Sequence, residues 1–195
     1  MIVALAMTHL APLEYRYALD AALTCLPRTT EPLTICNVAA LTDELRQRLP
    51  QTAETTPAAA ALWIEPLTAT WRMELASLTA RLTPDAPLAV IASRPLARLI
   101  PERRAWPERS LGMRPGGVAE LRRALVRAGY RIDAEYGIHS VMSIVLNGVS
   151  QRLERWDRPD LGDRLHFAAR LRYCTTGAPA ALTTVALLAA RKERG

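Results

Sequence analysis

Asn37, Glu65, Ser93, Arg94 and His139 stand at or just beyond the ends of short apolar or alternating runs. If those runs are strands of one open α/β sheet, their carboxyl ends line the crevice where such sheets take ligands. Glu65, followed by Pro66, then places a carboxylate at a strand mouth. There it can hold a cation or an amine, or act as a base; a capping role at the strand end is the structural alternative. His139 has the chemistry of a general base near neutral pH, against the alternative of a hydrogen-bonded structural histidine. His9 and His166 lack any partner pattern. No G-x-S-x-G elbow or Ser/His/Asp order is present, so no catalytic residue is assigned. Cys25, Cys36 and Cys174 are odd in number and widely spaced, without a C-x-x-C pair. They make no zinc or iron–sulfur set, and they read as buried reduced thiols of a cytoplasmic protein.

The elements that must position these residues follow from periodicity. EYRYALDAALTCL at 14–26 has helical spacing, with Tyr15, Leu19, Leu23 and Leu26 on one face and Pro27 as its stop. Leu33 to Val38 is a β-like run. Thr42 is placed to cap a short helix ending at Pro50. Residues 59–64 read as a buried strand. Residues 68–82 form an amphipathic helix on Trp71, Leu75, Leu78 and Leu82. Leu88 to Ala92 is an apolar strand introduced by Pro87. Val118 to Ala128 is a helix with Gly129 as its C-cap, and YRIDAEY at 130–136 alternates as a strand. Residues 140–174 read as one or two helices broken at Arg158-Pro159-Asp160, and 182–190 as a final strand. Alternating strands and helices predict an α/β sheet covered on both faces.

The chain has 195 residues with a net charge of +6. Residues 1–90 hold 6 Arg and 9 acids, a balance of −3, whereas residues 91–195 balance at +9. Such a dipole favours an anionic ligand, an acidic partner or a membrane surface on the second half, or it is a solvated basic face. The basic connection from Arg94 to Arg114, with Trp106 inside it, has the ingredients of a phosphate and base contact. No nucleic-acid motif accompanies it, so a solvated or partner-facing loop is favoured. No run of about 20 apolar residues exists to span a bilayer, and the amino-terminal segment lacks a basic region and a cleavage site. The first of the 9 glycines is Gly112, which excludes a glycine-built phosphate loop earlier in the chain.

Three stretches, LARLTPDAPLAVIAS, GGVAELRRALVRAGYRIDAEYGIH and ALTTVALLAARK, resemble the C-terminal half of the class I S-adenosylmethionine-dependent methyltransferases. The match is clearest at Leu125-x-x-Ala128-Gly129-Tyr130, the family's junction from helix to sixth strand. The resemblance covers roughly the last 135 residues. It implies a Rossmann-like, methyltransferase-type α/β sheet whose last strand inserts antiparallel. Residues 1–195 then form one domain, truncated to about five strands, with helices on both faces and a helical insertion at about 140–174.

The first half departs from that pattern. The family lays the methionine and ribose parts of its cofactor against a glycine-rich loop after the first strand, where a side chain crowds the approach. The aligned segment, Ile35 to Leu41, has no glycine. The stretch from Asp43 to Trp63 is also too short for the family's second and third strands with their helices. The sequence therefore predicts a degenerate, non-catalytic domain without a resident cofactor, serving as an interaction or structural subunit. An active methyltransferase with an atypical pocket is the alternative. On it, Asn37, Glu65 and Ser93 bind S-adenosylmethionine, with Arg94 and His139 as further site candidates. A basic nucleic-acid-binding module is a third reading. The helix at 141–156, whose apolar surface covers more than one face, is either buried within the domain or meets a partner, a protein or a second copy.

Overall fold

The computed structural model describes residues 13–27, 32–37, 57–99, 109–171, 173–176 and 178–194. The expected helix after Thr42, His9, the glycine-free segment from Val38 onward, and Arg103, Arg104 and Trp106 lie outside them.

Among the described residues, six strands form one sheet: β1 (Leu33–Cys36), β2 (Ala61–Ile64), β3 (Pro87–Ser93), β4 (Tyr130–Ser140), β5 (Cys174–Thr176) and β6 (Thr183–Lys192), in the order β1-β2-β3-β6-β4-β5. β1, β2 and β3 are parallel, with Ile35 beside Trp63 and Trp63 beside Val90. β6 is antiparallel to both β3 and β4, the inserted last strand that the resemblance implies. The sixth strand is β5, which begins at the end of the expected helical stretch and runs into residues that the sequence assigns to no element. Three residues, Cys-Thr-Thr, pair with Tyr136–Ile138 and are too few to show a period. β4 also runs further than YRIDAEY, to Ser140, with a bulge between Ile132 and Ala134.

Two apolar layers sandwich this sheet. On one face, α2 (Trp71–Arg81) and α3 (Gly117–Arg127) bring Trp71, Leu75, Leu78, Leu121 and Leu125 onto Trp63, Leu88, Val90 and Leu188. On the other, α1 (Leu13–Thr24) lays Ala18, Leu19 and Ala22 over Leu62, Ala89, Ile91 and Leu187. Neighbouring residues along β2, β3 and β6 thus serve opposite cores, which is why these strands read as unbroken apolar runs. α2 ends where Lys192, the chain's one lysine, donates from Nζ to the carbonyls of Thr79 and Leu82, both at 2.6 Å. A cation suits those unsatisfied terminal carbonyls.

Between β4 and β5 lies a helical hairpin of α4 (Val141–Arg155) and α5 (Pro159–Leu171). Ser140 caps α4 by accepting from the Ser143 N–H at 3.1 Å. The helices meet through small residues. Ser143, Ser150, Gly162 and Ala169 are buried, and Ser150 Oγ donates to the Gly162 carbonyl at 2.8 Å. Met142, Val145, Val149, Trp156, Leu161, Phe167 and Leu171 are exposed. No helix among the described residues is long and apolar enough to cross a membrane.

Candidate functional site

β4 runs antiparallel to β6 and therefore parallel to β1–β3, so four strands end at one edge. Asn37, Glu65, Ser93, Arg94 and His139 all stand on that carboxyl edge, beside the start of β6 at Thr183 and Thr184.

Glu65 and Ser93 are in direct contact. Glu65 is only 1% exposed, and its Oε1 accepts from the Ser93 N–H at 2.7 Å and from Ser93 Oγ. Its Oε2 accepts from Ser110 Oγ. Glu65 is in this structure a buried carboxylate whose two oxygens both receive internal donors, an arrangement of the structural kind rather than the ligand-facing one. Those donors join the mouth of β2 to the end of β3 and to the segment at Arg109–Met113. That segment is held further by Thr68 N–H to the Arg109 carbonyl and Leu111 N–H to the Pro66 carbonyl, both at 2.7 Å. Glu65 sits at φ 54°, the left-handed region in which a side-chain-bearing residue is uncommon.

Asn37 turns the other way. Its Nδ2 donates to Glu74 Oε2 at 2.8 Å, and the Trp63 indole N–H donates to the same oxygen at 2.7 Å. Thr70 Oγ1 donates to Oε1. Glu74, in the first turn of α2, gathers three elements around one carboxylate. Nothing at the sequence level singles it out beyond an acidic residue near a helix start.

Arg94 and His139 form a third group around Thr184. The Arg94 N–H donates to the Thr184 carbonyl at 2.8 Å, and Thr184 Oγ1 lies 3.4 Å from His139 Nδ1. The Arg94 guanidinium pairs with Glu135 at 2.6 Å, and its buried Nε has no hydrogen-bond partner. His139, at φ 60°, donates its N–H to the Tyr173 carbonyl at 2.6 Å and stacks its ring on Tyr173 at 5.2 Å. Glu74, Ser110, Glu135, Tyr173 and Thr184 complete these groups, and sequence reasoning missed them. Ser110, Glu135, Tyr173 and Thr184 lie tens of residues from their partners, and Glu74 reaches Asn37 across 37 residues, so no local spacing points to these pairings.

Cys25 and Cys174 are free, half-buried thiols rather than fully buried ones, and burial pushes both above the ordinary thiol range. Cys36 is half-buried as well. His166 is exposed on α5. Among the described residues no group of His, Cys, Asp and Glu is arranged to hold a metal ion. A shallow groove of about 630 Å³ lies between α2 and α3, lined by Trp71, Leu75, Arg123 and Arg127.

No protein-family model matches the chain, and no curated protein matches it in sequence. Solved structures do match. A S-adenosylmethionine-dependent methyltransferase from Thermotoga maritima, a possible histamine N-methyltransferase, aligns with a TM-score of 0.51 at 14% identity, over 92% of this chain and 89% of that one. A mycolic acid cyclopropane synthase aligns at 0.44 and 12% identity, over 91% and 84%. The 16S rRNA (adenine(1408)-N(1))-methyltransferase of Catenulisporales acidiphilia aligns at 0.34 and 22% identity, over 70% of this chain and 54% of that one, so the chain spans about half of its length. At such identities the likeness speaks to architecture. Together with the inserted antiparallel strand, the Thermotoga alignment gives the chain the fold of the class I S-adenosylmethionine-dependent methyltransferases.

Proposed function

We propose that this chain is a methyltransferase-fold domain that does not take S-adenosylmethionine in the family's manner and works as an interaction or structural subunit. The carrying observation is Glu65. A carboxylate at the mouth of β2 is 1% exposed and receives Ser93 and Ser110 on its two oxygens. Opening it to a ligand means stripping a buried charge of its donors, which is strongly unfavourable. Asn37 supports the same reading, since its amide is directed to Glu74. So does the aligned loop, whose Val38, Ala39, Ala40 and Leu41 all carry side chains where the family uses glycine. β1 pairs with β2, and no strand among the described residues lies beyond it, where a ribose-binding carboxylate on a further strand would stand.

The deciding experiment is calorimetric titration of the chain with S-adenosylmethionine and with S-adenosylhomocysteine. No saturable heat is expected from either. A micromolar Kd for one of them overturns the proposal and supports an active methyltransferase with an atypical pocket.

A further inference from the structure

The hairpin α4–α5 leaves much of its apolar surface uncovered. Two helices that need only each other bury their large apolar side chains between them and leave small and polar ones outside. Here Ser143, Ser150, Gly162 and Ala169 fill the contact between the helices, with Gly162 close against Ser150 and Glu154. Ile144, Leu146, Leu153 and Leu165 are half-buried, but seven large apolar side chains of the hairpin stand exposed. Met142, Val145, Val149 and Trp156 recur at intervals of three, four and seven along α4, so they share one stripe. Their exposures are 55%, 52%, 41% and 71%. On α5, Phe167 and Leu171, four residues apart, are 64% and 67% exposed. A stripe spaced like a coiled-coil seam is an unfinished core that asks for another helix.

We propose that the occupant is a second copy of this chain, meeting hairpin to hairpin in a four-helix bundle with the α4 stripe at its centre. This names the partner for the interaction role proposed above and rests on that reading. Two features select a second copy over other surfaces. The first is charge. Residues 141–171 hold five Arg and four acids, nearly balanced within a half-chain that is otherwise strongly basic. A balanced, mixed-sign rim complements itself across a twofold axis, whereas an acidic partner or an anionic bilayer calls for a basic one. The second is area. Seven large apolar side chains of the hairpin are exposed, and at roughly 100 Å² each they offer about 700 Å² per copy, close to the ~800 Å² that each partner gives to a standard specific interface.

Sedimentation velocity of the full chain at about 1–100 μM tests this, because association follows mass action. The wild type is expected to sediment as a dimer. Val145→Glu is expected to halve the mass with an unchanged circular dichroism spectrum. Val149→Ser, a milder change on the same stripe, is expected to weaken the dimer about tenfold, as loss of one buried apolar contact does. Met73→Glu, on an exposed α2 position, is expected to leave the mass unaltered. A wild type that stays monomeric throughout, a dimer that survives Val145→Glu, or a Val145→Glu chain that unfolds would each overturn the proposal, the last because it places Val145 in the protein's own core. Mass reports on this inference and cofactor titration on the preceding one. A dimer that binds S-adenosylmethionine sinks only the functional reading, and a monomer that does not bind it sinks only this one.

Discussion

Glu65 combines a left-handed backbone, near-complete burial and three donors. The backbone strain, of about 1–3 kcal/mol, persists because the carboxylate is held from both sides. Glu65→Gln keeps the size and removes the charge, leaving a carboxamide with one acceptor oxygen among three donors. It should lower stability by about 1–3 kcal/mol in urea denaturation, and Ser110→Ala should act in the same direction. Because the two residues touch, the double variant should cost less than the sum, with a coupling of at least about 0.5 kcal/mol. Strict additivity would show that the Ser110 contact contributes nothing. That these candidates stand at the sheet edge was legible, because an apolar run ending in Glu-Pro or Ser-Arg marks a strand end. Their occupation was not. Ser110 lies 45 residues from Glu65, and Glu74 lies 37 from Asn37, and pairings over such separations are made by the fold rather than by spacing.

At the level of elements, the short helical turn Leu111–Met113 decides whether Ser110 can reach Glu65. It lies flat on the end of β3 because Gly112 has no side chain. A Cβ there would press into the Ser93 carbonyl and stand 3.1 Å from the Ala92 Cβ. Gly112→Ala must lift the turn away from the sheet, and it should destabilise the protein by about 2 kcal/mol or more, as overpacking a filled site does. A thermal melt matching the wild type would mean that the turn has room to move. The glycine-free first half drew attention at the sequence level, yet Gly112, the first glycine after it, proves to be a packing residue. The hairpin shows a different limit. Its apolar periodicity was plain from residue 141 onward, but a period reports which residues share a face and is silent on what covers that face. Only the exposure of Met142, Val145 and Val149 beside a small-residue interior separates a core helix from an interface.

For the whole molecule, the sheet order was more legible than any pair within it. The Ala128-Gly129-Tyr130 junction and the apolar run near the end of the chain carried the resemblance, and the inserted antiparallel β6 agrees with it. β5 escaped because three residues have no pattern. In this sheet β3 and β4 do not touch as neighbours; β6 lies between them and pairs with both. Leu187 faces one core and Leu188 the other. Leu187→Ala and Leu188→Ala should therefore each cost about 2–5 kcal/mol, and each should shift a single transition seen alike by fluorescence and circular dichroism. Two separated transitions would mean that the halves of the sheet hold up alone.

The position of β6 also sets the order in which the protein can come into being. One of the sheet's two central strands is synthesised after all the others described. Until residues 183–192 leave the ribosome, β3 and β4 have nothing between them, and their apolar flanks wait uncovered. Productive folding is then largely a late event dominated by contacts distant in sequence, a class that folds slowly. The waiting intermediates expose strand edges to neighbouring chains, so the yield of native protein should depend on chaperones more than its modest length suggests.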